Sequence, residues 1–119
     1  MELHNVEQRS KEWFDLRLGK VGGSEAISLT TPARMKNLVN VKLAEILTGQ
    51  AEQVFVNDAM QYGIDTEPIV VSLYEKEQFI STTEIGGVSN KDYPRAFLSP
   101  DRLVGNNGAL EIKCPQPKS

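Results

Sequence analysis

Gly105-Asn106-Asn107-Gly108-Ala109-Leu110-Glu111-Ile112-Lys113-Cys114 is the run on which the architecture turns. Two asparagines between glycines form a strong hairpin-turn signal, because both residue types tolerate positive φ. Ala109–Cys114 then predicts a strand. Side chains alternate faces along a strand, so Leu110, Ile112 and Cys114 point to a core while Glu111 and Lys113 stand side by side on the other face. Pro115-Gln116-Pro117 stops it. Before the turn, Arg95–Ser99 predicts a strand that Leu103-Val104 continues, which brings Asp101 close to the partner strand. Gly86-Gly87 reads as a turn, and Gln78–Ile85 as a further strand.

Everything earlier in the chain predicts helix. Ser10 caps a first helix, with Glu12 in its first turn, Trp13, Leu16 and Leu18 on an apolar face, and Gly19 as its stop. Val21-Gly22-Gly23 is a turn, and Ser24 caps a short helix ending near Leu29. Thr31-Pro32 is a capping threonine followed by proline at the first helical position. That helix is predicted to run to Leu47, with Leu38, Val41 and Ile46 inward and Gly49 as its stop, before a polar loop. Asn57 caps the longest helix, Asp58–Glu77, where Met60, Ile64, Val71 and Tyr74 recur at helical spacing. Gly63 and Pro68, either side of Glu67, weaken it. The expected class is α/β, with N-terminal helices on a small mixed sheet of about three strands. One domain over 1–119 is expected, with a helical part to about residue 56 and a core over about 57–119.

Composition narrows the function. The chain has 119 residues, 39% hydrophobic and 24% charged, enough for one core and too mixed in sign for a disordered polyelectrolyte. No apolar run approaches the length of a membrane span, Ile69–Val71 being typical, and MELHNVEQRS has no signal-peptide core. A cytoplasmic protein without a membrane role is therefore expected. A single cysteine excludes an internal disulfide framework and a multi-cysteine zinc site, and a single histidine leaves a catalytic triad or histidine metal cluster without support. The net charge of −3 argues against a protein that merely coats nucleic acid. It leaves room for a nuclease, since metal-binding carboxylates make the metal-free chain acidic.

Asp101, Glu111 and Lys113 form the chemically interesting group. A carboxylate on each of two adjacent strands, with a lysine beside one, can hold a divalent ion and a polarised water. An acid-x-Lys triplet alone means little, because it arises about once by chance in such a chain and an exposed Glu/Lys pair is its ordinary reading.

A wider set of motifs adds to this. Trp13-Phe14-Asp15-Leu16-Arg17-Leu18-Gly19 followed by Ser24-Glu25-Ala26, then Gly63-Ile64-Asp65-Thr66-Glu67-Pro68 ending in Tyr74-Glu75, then Ser99-Pro100-Asp101, then Glu111-Ile112-Lys113-Cys114-Pro115 occur in that order. Together they resemble the lambda exonuclease family, the YqaJ-like viral recombinases of the PD-(D/E)xK nuclease superfamily. The resemblance covers nearly the whole chain and implies a restriction-endonuclease-like core. It implies that Asp101, Glu111 and the Ile112 carbonyl are metal ligands, and that Glu67 completes the site for a second ion. Lys113 would orient or deprotonate the attacking water, or stabilise the charged phosphorane. Magnesium or manganese suits such hard oxygen donors. Arg17 and Ser24, joined by Ser99, match positions that recognise a 5′-terminal phosphate, as a guanidinium and a hydroxyl beside free backbone N–H groups would.

The implied activity is metal-dependent phosphodiester hydrolysis, a 5′→3′ exonuclease on double-stranded DNA ends serving phage-type recombination with a single-strand annealing partner. An endonuclease or nickase of the same chemistry, and a non-catalytic DNA-end-binding or protein-binding fragment, remain alternatives. Family members are longer, continuing past the Glu-x-Lys strand with a helix and another strand. The expectation is thus an incomplete core that associates with copies of itself or is completed by another chain.

Overall fold

The computed structural model describes residues 1–51 and 56–117. Part of the predicted loop after Gly49, and the boundary near residue 56, border or fall outside them. The helical readings hold closely. α1 spans Lys11–Arg17, α2 Pro32–Thr48 and α3 Asp58–Gln78, and the side chains of Ser10, Thr31 and Asn57 accept the amides of Trp13, Arg34 and Met60. Gly49 ends α2 in the left-handed conformation (φ 71°) that glycine adopts freely. The short helix is a 3-10 helix over Gly23–Leu29, capped at Gly22 rather than Ser24. In α2 Leu38 is buried, but Ile46 is 47% exposed. The inward position beside it belongs to a charged residue, Glu45, at 7% exposure. Met60 in α3 likewise lies largely at the surface.

The α/β class is found, but its strands number six, in two three-stranded sheets, where one sheet of about three strands was predicted. β1 (Glu2–His4), β3 (Gly87–Asn90) and β4 (Tyr93–Leu98) form one sheet, ordered β1-β3-β4. β2 (Thr82–Thr83), β5 (Arg102–Val104) and β6 (Gly108–Leu110) form the other, ordered β2-β5-β6. Both are antiparallel. An isolated parallel bridge joins Val21 to Ala96.

Four sequence readings are corrected. The predicted strand Gln78–Ile85 shrinks to Thr82–Thr83, because α3 continues to Gln78 and Phe79 turns the chain at φ 54°, its amide capping the Glu75 carbonyl. Arg95–Ser99 and Leu103-Val104 belong to different sheets, separated at Ser99–Asp101. The last strand ends at Leu110 rather than Cys114. The inside-outside alternation nevertheless persists, with Leu110, Ile112 and Cys114 half-buried and Ala109, Glu111 and Lys113 exposed. Finally, Gly86-Gly87 is no turn. A side-chain carbon at Gly87 would strike the Phe97 ring and the Leu98 carbonyl, and one at Gly86 would strike Val6. Those glycines permit close packing, and Gly87 opens β3. β1, a short polar strand, carried no periodic signal.

The chain divides into two compact units. The first, 1–53 with 85–100, holds α1, the 3-10 helix, α2 and the β1-β3-β4 sheet. Its core is Trp13, Leu38, Ile85 and Phe97, the last only 1% exposed. The second, 54–84 with 101–119, holds α3 and the β2-β5-β6 sheet, with Val71 and Thr82 buried. Among the described residues no helix is long and apolar enough to cross a membrane.

Candidate functional site

In the second unit, β5 pairs with β6 from Val104↔Gly108 to Arg102↔Leu110. The pairing extends one step further, the Asp101 amide donating to the Leu110 carbonyl at 3.0 Å. Where the backbone ladder then stops, the Asp101 carboxylate takes over, its Oδ2 accepting the Ile112 amide at 2.6 Å. This charge-assisted bond holds a carboxylate against the Glu111-Ile112-Lys113 backbone. Glu111 and Lys113 extend to solvent and pair with each other, Oε1 to Nζ 3.0 Å. With side chains 61% and 81% exposed, the pair adds little to stability. The hydrogen bond with Glu111 and its charge hold Lys113 above the ordinary lysine value against desolvation, with a lesser contribution from the charge of Asp101. Lys113 is therefore a cation at neutral pH.

Glu67 sits half-buried on α3, next to Pro68. Among the described residues, no three His, Cys, Asp or Glu side chains gather closely enough to hold an ion. The hairpin thus brings Asp101 to the Glu111–Lys113 segment, but Glu67, Asp101 and Glu111 do not form a ready trio. The available donors are carboxylate and carbonyl oxygens. That set fits magnesium or manganese and offers zinc little beyond the single thiol of Cys114. The second unit carries eight Asp/Glu against four Lys/Arg, the first eight against nine. Asp101, Glu111 and Glu67 are three of the eight acids of this more acidic unit.

Arg17, Ser24 and Ser99 all belong to the first unit. Arg17, the last residue of α1, lays its guanidinium over the Trp13 ring, 4.1 Å from the centroid. The Trp13 indole N–H donates to the Gly86 carbonyl (2.9 Å) and the Ser99 hydroxyl (3.1 Å). A single tryptophan thus links Arg17 and Ser99. Beyond α1, Gly19 turns the chain at φ 71°, and Val21 bonds to both Arg95 and Phe97. This returns the backbone past Arg17. A side-chain carbon on Gly22 would lie 3.1 Å from Arg17 Nη2, so glycine leaves the guanidinium its place. Ser24 follows two residues later, exposed in the first turn of the 3-10 helix.

A family model, the YqaJ-like viral recombinase domain, matches residues 12–119. The chain belongs to the YqaJ-like viral recombinase domain family. No curated protein sequence matches it. Among solved structures it is similar to an alkaline exonuclease, LHK-Exo, from Laribacter hongkongensis, at 37% identity and a TM-score of 0.80. The same exonuclease in complex with dAMP matches at 38% identity and a TM-score of 0.80. In both cases 89% of this chain is covered and 54% of the other, so the chain spans about half the length of the solved relatives it matches.

Two networks in this YqaJ-like chain escaped the sequence reading, because their members lie far apart along it. In the first unit, buried Glu45 on α2 accepts the Gly19 amide at 2.9 Å, and Lys42 approaches both Glu45 (3.5 Å) and Glu25 (3.0 Å). In the second, Arg102 donates to the Thr82 hydroxyl (2.9 Å) and carbonyl (3.0 Å) and pairs with Glu84 (3.2 Å). Glu75 accepts both the amide (2.6 Å) and the hydroxyl (3.0 Å) of Thr82. This second network joins the end of α3 to the strand that follows Asp101. The only local signal was Glu75 in the Tyr74-Glu75 motif.

The Thr82 amide and hydroxyl, with Arg102 nearby, hold Glu75 below the ordinary glutamate range. A carboxylate depressed in the folded state contributes stability above its unfolded pKa and loses it as pH falls through the folded one. Glu75→Gln, which keeps an acceptor but no charge, should melt lower than the unaltered chain at pH 7. Its melting temperature should also fall less steeply below about pH 4.3. Parallel acid limbs in thermal melts from pH 7 to 3 would remove Glu75 as a source of acid sensitivity.

Proposed function

We propose that this chain is the catalytic portion of a magnesium- or manganese-dependent deoxyribonuclease, a 5′→3′ exonuclease acting on double-stranded DNA ends. The observation that carries the reading is the Asp101 carboxylate on the Ile112 amide, which sets one acid beside Glu111 and Lys113. Family membership and the likeness to an alkaline exonuclease support it.

Asp101, Glu111 and the Ile112 carbonyl would hold one ion, and Glu67 would help hold a second. A bound ion of this kind supplies a nucleophilic water near neutral pH and offsets charge on the scissile phosphate. Glu111 would offer the ion a carboxylate oxygen while its Oε1 lies beside Lys113. Lys113, as a cation, would orient the attacking water through its N–H donors and stabilise negative charge developing on the phosphate oxygens. Arg17 would take the 5′-phosphate through paired N–H donors, with its plane fixed by Trp13, and Ser24 and Ser99 would add hydroxyl donors. The implied setting is phage-type recombination in a bacterial cytoplasm, with a single-strand annealing protein as partner and assembly with further copies or another chain.

Digestion of 5′-phosphorylated linear duplex with magnesium tests this. Mononucleotides released from 5′ ends, with closed circular DNA left intact, are expected. Cleavage of the circle would make the chain an endonuclease. A folded chain that binds manganese but cuts neither substrate would remove the enzymatic reading. A second reading is DNA-end binding without cleavage, for which Arg17 on the Trp13 ring would suffice without an ion. Under it, phosphorylated ends bind but are not shortened.

A further inference from the structure

Arg17 does not stand alone beside the glycine turn. A side-chain carbon at Gly22 would lie 3.1 Å from Arg17 Nη2 and 3.6 Å from Glu25 Oε1, so a cation and an anion flank the same glycine. Glu25 is held there by its own backbone role, its Oε1 accepting the Gly22 amide at 3.0 Å while the Glu25 amide donates to the Gly22 carbonyl at 3.1 Å. Glu45, 7% exposed, is fixed by the Gly19 amide. Two carboxylates thus grip the two ends of the Gly19–Gly22 turn. Both add negative charge to that turn, and Glu25, on the same glycine as Arg17, would compete with an incoming phosphate for the guanidinium. Lys42 lies between them, Nζ 3.0 Å from Glu25 Oε2 and 3.5 Å from Glu45 Oε1, with its side chain only 14% exposed. In so shielded a place charge interactions are stronger than at the open surface.

We propose that Lys42 is a positioning residue for terminal-phosphate recognition. It neutralises the carboxylates that pin the Gly19–Gly22 turn, directs Glu25 away from Arg17, and so leaves the guanidinium available to a phosphate monoester. The proposal rests on the reading of Arg17 as a phosphate ligand. It adds that specificity for a phosphorylated end depends on a lysine of α2 that need not touch the DNA. Removing Lys42 uncovers a negative charge beside the phosphate. Removing the charge of Glu25 as well, with Gln keeping the acceptor for the Gly22 amide, should undo that effect.

The test measures binding of the whole chain to a fluorescein-labelled blunt duplex carrying either a 5′-phosphate or a 5′-hydroxyl, by anisotropy without added metal. The unaltered chain is expected to prefer the phosphate. Lys42→Gln should reduce that preference about tenfold, the scale of one charge-assisted contact. Lys42→Arg should keep it, and Lys42→Gln with Glu25→Gln should regain it. Circular dichroism melts confirm folding. If Lys42→Gln does not fold, Glu25→Gln alone decides, because the preference should then rise above that of the unaltered chain. An unchanged preference in folded Lys42→Gln, a folded double variant that stays as weak as the single one, or a Glu25→Gln preference that fails to rise would each overturn the proposal. If the unaltered chain binds both duplexes equally, the phosphate reading of Arg17 falls, and the role of Lys42 with it.

Discussion

Asp101→Asn should lower duplex cleavage by about a thousandfold or more while leaving the melting temperature nearly unchanged. The two effects separate because Asp101 does two things. Its carboxylate accepts the Ile112 amide at 2.6 Å, and an asparagine Oδ1 can still do so. Its negative charge, which under the proposed function would hold a divalent ion, has no counterpart in asparagine. Loss of an ion ligand removes several kcal/mol of transition-state stabilisation, and each 1.36 kcal/mol is about tenfold in rate. Manganese titration should show weakened binding in the same variant. Asp101→Ala should add a structural penalty of about 1–3 kcal/mol, because the Ile112 amide then loses its acceptor in a partly buried place. A folded Asp101→Asn variant that cuts like the unaltered chain would exclude Asp101 as a metal ligand.

Trp13→Ala should give the largest loss of stability in the first unit, about 3–5 kcal/mol. Trp13 is 7% exposed, and its indole N–H holds both the Gly86 carbonyl and the Ser99 hydroxyl. Truncation leaves a cavity in a small core and removes the surface under Arg17. Trp13→Phe separates these contributions. It keeps an aromatic face for Arg17 but deprives Gly86 and Ser99 of their donor, at about 1–3 kcal/mol. Because the chain has one tryptophan, unfolding should be followed in urea by circular dichroism rather than fluorescence. A Trp13→Ala midpoint close to that of the unaltered chain, at equal slope, would show that this residue is not central to the unit.

The helices were legible because their signals are local. Ser10, Thr31-Pro32 and Asn57 act within one turn, and Gly49 needs only its own φ. The hairpin was legible for the same reason, and with it the approach of Asp101 to the last strand. The sheets were not. β1 pairs with β3 across more than eighty residues, Leu3 opposite Val88, and nothing local in Glu2–His4 foretells it. Gly86-Gly87 misled because glycine marks both turns and close packing, and only the Phe97 ring and Val6 show which applies. Glu45 and Lys42 read as ordinary charges on a helix until Gly19 and Glu25 come beside them.

What the amino-acid order determined by itself was the family, the helix boundaries and the residue types available for chemistry, since each depends on neighbours within a few positions or on motifs in series. Only the folded chain decided that six short strands form two sheets, and that Arg17 lies on Trp13 while Trp13 reaches Ser99. It also showed the Asp101 carboxylate holding the Ile112 amide. Those outcomes depend on hydrogen bonds and contacts between residues distant in the chain, whose partners are chosen by packing the whole and not by any local preference.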